Sequence, residues 1–133
     1  MRYTAAGGTD ALETMKLAER GKSLDVVIVG SPNVNPGYKL VGNELYPRIA
    51  EDYQKMFRVL AALPCDLFLG AHGAYFGMDA KLAKVKAGAA NRFVDPEGYK
   101  KFVADKALEF RKELEHQTAA AREAAPPPAA PRK

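Results

Sequence analysis

Histidine and cysteine are scarce in this chain of 133 residues, which holds two of the first and one of the second. A lone cysteine, Cys65, excludes an internal disulfide. Set between Leu63 and Leu67, it reads as a small buried hydrophobe. A nucleophilic role would need a base beside it, and a strand would hold His72 too far away. Two histidines, His72 and His116, cannot by themselves furnish the three or four protein ligands of a zinc site. Long apolar runs are also missing: none approaches the ~20 residues that span a membrane. The opening Met1–Gly8 has no apolar signal core, so the chain as written is expected to carry no export address. Positive charge is in small excess, a net +4 that owes part to Arg132 and Lys133 at the end. Without a concentrated basic face bearing aromatic or base-reading groups, no nucleic-acid partner is expected, and none in a membrane.

What is present points to one α/β domain. Leu24 to Val29 contains the β-branched run Val26-Val27-Ile28-Val29, the mark of a strand covered on both faces. Gly30 to Tyr38 follows as a structured loop rich in proline, glycine and asparagine, placed at a strand end where function often sits. Pro47 is expected to open a helix whose stripe of Ile49, Tyr53, Met56, Phe57 and Leu60 is core. Pro64 ends it, and Asp66 to Leu69 form a second buried strand. This strand runs into Gly70-Ala71-His72-Gly73, an imidazole among small residues at a rigid tip with room to reach a metal. A short helix is expected from about Asp79 to Ala87, with Asp79 as its N-cap. Asp95-Pro96-Glu97 is a helix start, with Asp as N-cap and Pro in the first position. Tyr99, Phe102, Val103, Phe110 and Leu114 then stripe a long helix, and His116 beyond them reads as solvated. Residues 11–20 fit neither period, and their Ala, Glu and Lys content favours helix. Only two strands are secure, too few for an independent sheet. Three segments result: 1–23, a core unit at 24–120, and an Ala/Pro tail at 121–133 expected to be disordered or extended.

From about Leu24 to Gln117 the chain resembles the C-terminal part of subclass B3 metallo-β-lactamases. The resemblance is carried, in order, by Asp25–Ser31, Val34–Leu40, Tyr46–Tyr53, Leu63–His72 and Asn91–Tyr99. It implies half of an αββα sandwich, incomplete as a stand-alone domain. In that family two zinc ions sit at one edge, and a bridging hydroxide attacks the β-lactam carbonyl. Carried over, His72 matches the last ligand of the second zinc, and Ser31 matches a serine that contacts the β-lactam carboxylate. Asn33 and Asn35 share that loop and would help orient substrate, while Tyr75 and Phe76 would border the pocket. The upstream His-x-His-x-Asp-His cluster is absent. The stretch Thr4–Asp10, which corresponds to the family's Gly-His-Thr turn, has no histidine. His72 is the one matching ligand.

The resemblance therefore implies a truncated zinc-dependent β-lactam hydrolase, inactive as an isolated chain and holding zinc weakly or not at all. The alternative is a non-enzymatic half-domain that binds a complementary N-terminal half or homodimerises. A rebuilt hydrolase would have to draw on Asp10, Asp66 and Asp79, although Asp66 reads rather as orienting its strand. The family is periplasmic; the chain as written, lacking a signal segment, would be cytoplasmic.

Overall fold

The computed structural model describes residues 2–5, 11–19, 22–88 and 93–126. Strands β1 (Arg2–Ala5), β2 (Ala11–Glu19), β3 (Lys22–Val29) and β4 (Leu67–Gly70) form one sheet in the order β1-β2-β3-β4. The first three run antiparallel, and β3 and β4 run parallel. Helix α1 (Ile49–Ala62) lies on the β3–β4 crossover, as a parallel pair requires. After β4 come a single 3₁₀ turn (Gly73–Tyr75), α2 (Met78–Lys86) and the long α3 (Pro96–Ala124).

Several expectations are corrected here. Residues 11–19 are a strand, not a helix, because seven residue pairs from Glu13↔Ile28 to Glu19↔Lys22 lock them to β3. Pairing with a secure neighbour outweighs the weak helical preference of Ala, Glu and Lys. The sheet accordingly has four strands rather than two. Helix boundaries shift as well. Helix α1 starts at Ile49 with Arg48 as its cap, two residues beyond Pro47. Helix α2 is capped by Gly77 in the left-handed region, which leaves Asp79 in the first turn, where a carboxylate still favours the helix dipole. Helix α3 continues to Ala124, past residue 120. Asp10 and the stretch 127–133 lie outside the described residues, as do Asn91 and Arg92.

Side chains alternate across β3, so Val27 and Val29 face one way and Val26 and Ile28 the other. Val27, Val29 and Phe68 join Tyr53, Met56, Phe57 and Leu60 of α1 and Tyr99, Val103 and Phe110 of α3 in one core. Aromatic rings dominate it. Tyr53 stacks on Phe110 at 5.3 Å, and Phe68 meets Tyr99 edge-on at 5.5 Å. The Tyr99 hydroxyl, whose ionisation burial opposes, donates to the Leu60 carbonyl. On the opposite face Val26 is buried and Ile28 half-buried.

Asp66 joins three elements: the middle of β3 at Asp25 and the starts of β4 and α3. Its carboxylate accepts from the Asp25 amide at 2.8 Å, and its own amide donates to the Asp25 carbonyl at 2.8 Å. Its carbonyl accepts from the Asp95 amide at 2.8 Å. The expected strand-orienting role of Asp66 is thus met in full. Asp95 in turn caps α3, its carboxylate accepting from the Gly98 amide at 2.9 Å and lying 2.8 Å from Lys81. The bond to Lys81 holds the Asp95 carboxyl below its ordinary range. Gly98 permits this cap, since a Cβ there would sit 2.1 Å from the Asp95 carboxylate.

Candidate metal and substrate rim

Parallel strands end on the same side of a sheet, and β3 and β4 deliver their following loops to one rim. That is where ligands of open α/β sheets gather. The Ala71 amide donates to the Val29 carbonyl at 2.8 Å, which carries the pairing one residue past β4 and sets His72 beside the start of the Gly30–Tyr38 loop. His72 is extended and exposed. Its carbonyl accepts from the Tyr75 amide at 3.0 Å, and its ring meets the Tyr75 ring edge-on at 5.0 Å. Gly70 makes the approach possible, for a Cβ there would stand 3.0 Å from the Tyr75 ring.

Tyr75 is the brace of the rim. Its ring lies against Phe102 of α3 at 5.1 Å, and its hydroxyl accepts from the Asn33 amide at 2.7 Å. The Asn33 carbonyl accepts from the Tyr53 hydroxyl of α1 at 2.8 Å. Asn33, expected to orient substrate, thus spends one side-chain donor and its carbonyl on tying the two loops to each other and to α1. Phe76 departs from the expected pocket border: it is buried, 6.2 Å from Phe68 and 6.0 Å from Phe93. An apolar ring next to a half-buried aromatic layer gains more by turning inward. Ser31 is half-buried at the loop start, and Asn35 is exposed with its amide 3.3 Å from the Tyr38 hydroxyl.

Two supporting residues had no signal in the sequence. Tyr53 reads there as a core stripe, yet its hydroxyl holds the loop. Gln117 of α3 clamps the far end of the same loop. It accepts from the Leu40 amide at 2.7 Å and donates to the Tyr38 carbonyl at 2.9 Å. Both contacts join residues more than seventy positions apart in the chain, which no local pattern reveals.

Among the described residues no group of three or more His, Cys, Asp or Glu side chains converges to hold a metal ion. Those donors do not fit a zinc ion by themselves, since one imidazole is one ligand of the three or four required. His116 is exposed and 3.9 Å from Glu113, as a solvated residue of α3. Asp66 is committed to the Asp25 amide. Cys65 precedes β4 while His72 follows it, separated by about 20 Å of extended chain. Burial pushes the Cys65 thiol up to about 12, as befits an inert thiol. Among the described residues no helix is long and apolar enough to cross a membrane.

No protein-family model matches the chain. Solved structures do. The metallo-β-lactamase FEZ-1 of Legionella gormanii is 46% identical, with a TM-score of 0.79, over 81% of this chain and 41% of its own length. BJP-1, a subclass B3 metallo-β-lactamase of Bradyrhizobium japonicum, is 32% identical, with a TM-score of 0.74, over 84% of this chain and 42% of its own. Rm3 metallo-β-lactamase is 25% identical, with a TM-score of 0.78, over 87% of this chain and 45% of its own. The chain spans less than half the length of each, and its sheet with α1 to α3 corresponds to part of their αββα sandwich. By sequence and by fold together, this chain is a homologue of the subclass B3 metallo-β-lactamases over that part of their length.

Proposed function

We propose that this chain is the C-terminal half of a zinc-dependent β-lactam hydrolase and is catalytically silent until a complementary half completes it. His72 would supply one ligand to the second zinc position. Ser31 and Asn35 would meet the antibiotic from the loop after β3, and Tyr75 would border the site while holding that loop in place. The observation that carries this reading is the exposed imidazole of His72 at the shared rim of β3 and β4, in a chain 46% identical to FEZ-1. The remaining zinc donors would come from the partner half, as would the second sheet. The assembled protein would work in the periplasm, like the family.

The test mixes the purified chain with a separately produced N-terminal half of the Legionella gormanii relative. Hydrolysis of a chromogenic cephalosporin, zinc content and native mass are then read together. Neither half alone is expected to hydrolyse the substrate, whereas a one-to-one complex should. A one-to-one complex that takes up zinc yet leaves the cephalosporin intact would overturn the proposal.

A second reading, a non-enzymatic half-domain that pairs with its own copy, draws on the face of β3 turned away from the helices, where Ile28 is half-buried. A discrete symmetric dimer that refuses the N-terminal half would favour it.

A further inference from the structure

Between them, α1 and α3 leave an open groove of about 530 Å³, within the ~300–1,000 Å³ usual for small-molecule sites. The two helices run antiparallel. Leu60 near the end of α1 meets Tyr99 near the start of α3, and Tyr53 near the start of α1 meets Phe110. Phe57 and Phe110, both buried, close the floor, while Ala61, Ala104 and Ala107 leave the seam between the helices unfilled. The charges lining the groove are all of one sign. Arg58, Lys100 and Arg111 line it and no carboxylate does. Lys100 pairs with Glu97 at 3.2 Å, but Arg58 and Arg111 are exposed, with no carboxylate partner among the described residues. Lys100 and Arg111 stand eleven residues apart on α3, about 16 Å along the helix, so the apolar seam carries positive charge along its length.

We propose that this groove binds a single-chain anionic amphiphile of the fatty-acid class, with the alkyl chain along the alanine seam and the carboxylate against Arg58 and Arg111. Apolar burial would supply the affinity and the guanidinium groups the orientation and selectivity, since a guanidinium takes a carboxylate through paired hydrogen bonds. The site is separate from the rim of His72 and does not depend on zinc or on a completed sandwich.

Titration calorimetry of the full chain with laurate, below its micelle-forming concentration, tests this. Dodecyltrimethylammonium serves as the control of same tail and opposite charge, and acetate as head group without tail. Saturable binding of laurate at one site is expected, with neither control competing. Arg58→Glu with Arg111→Glu should weaken it about tenfold, and Ala104→Trp, which fills the seam, should do the same. Spin-labelled fatty acid offers a second measurement on the unmutated chain: it should broaden the methyl signals of Ala61, Ala104 and Ala107 before any others. Non-saturating uptake would overturn the proposal, as would equal binding of the cationic amphiphile or broadening centred elsewhere. Binding of an acidic amphipathic peptide in the absence of laurate binding would also overturn it, assigning the groove to a protein partner instead.

Discussion

The aromatic core and the strand rim are built on opposite terms. Between α1, α3 and the sheet, the core is aromatic, with Tyr53, Phe68, Tyr99 and Phe110 each almost fully buried. At the rim, the polar groups are half-buried or exposed, and one imidazole stands without a converging set of metal donors among the described residues. The core holds the structure together by packing, whereas the rim holds two loops in position by a few long-range hydrogen bonds. Stability and chemistry are therefore separable in this chain, and mutations should sort accordingly.

The sharpest test is Phe68→Ala. Phe68 touches Phe76, Tyr99 and Phe102 from the middle of the core, and its loss should cost about 3–5 kcal/mol in urea unfolding. A smaller cost than a rim substitution would erase the distinction between the two regions.

Asp95→Ala should come next, at about 2–3 kcal/mol, because it removes the α3 cap and strands Lys81. The Lys81 ammonium lies over the rings of Phe68 and Phe76, with Asp95 as its ion-pair partner. The same carboxylate sets a pH dependence. Its ionisation is favoured in the folded state, first by the bond to Lys81 and then by the Gly98 amide, against the cost of burial. Its stabilisation is therefore complete above the ordinary carboxylate pKa of about 3.9 and is lost as pH falls through the lower folded value. Acid titrations of stability should show that loss in the parent and not in Asp95→Ala.

Gln117→Ala should cost about 1 kcal/mol and leave the core intact, but it should speed hydrogen exchange at the Leu40 amide. Unchanged exchange there would mean that the clamp from α3 does not hold the loop. Smallest of all, His72→Ala should change unfolding free energy by no more than about 0.5 kcal/mol while abolishing zinc uptake at the second position in the assembled sandwich. A large loss of stability would make His72 a structural residue. Alkylation offers a final contrast: Cys65, raised to about 12 by burial, should react with iodoacetamide far more slowly than a free thiol until the chain is unfolded.

Much of this division is visible in the amino-acid order. The β-branched run Val26–Val29 and the apolar Leu67-Phe68-Leu69 announce the parallel pair, and Asp95-Pro96 announces the start of α3. His72, set between Ala71 and Gly73, is legible as a strand-end residue for the same reason. Strand β2 is hidden because its Ala, Glu and Lys residues favour helix locally, and only its partner β3 decides otherwise. Asn33 is hidden differently. An asparagine in a loop suggests a ligand contact, but its partners Tyr53 and Tyr75 lie 20 and 42 positions away, so the bracing role exists only after folding. Phe76 follows the same logic, since nothing local says whether an aromatic beside a histidine turns toward solvent or toward Phe68.

The knot at Asp66 has a temporal meaning. It ties the middle of β3 to the openings of β4 and α3 through Asp25, Asp66 and Asp95, spread over seventy positions of chain. Loop closure on that scale is slow and late. During synthesis the strands can pair with each other before residue 95 exists, but α3 cannot be fastened to them until its cap has left the ribosome. Until then the side of Phe68 that Tyr99 and Phe102 cover stays open, while α1 and Phe76 can already pack on the rest of the face.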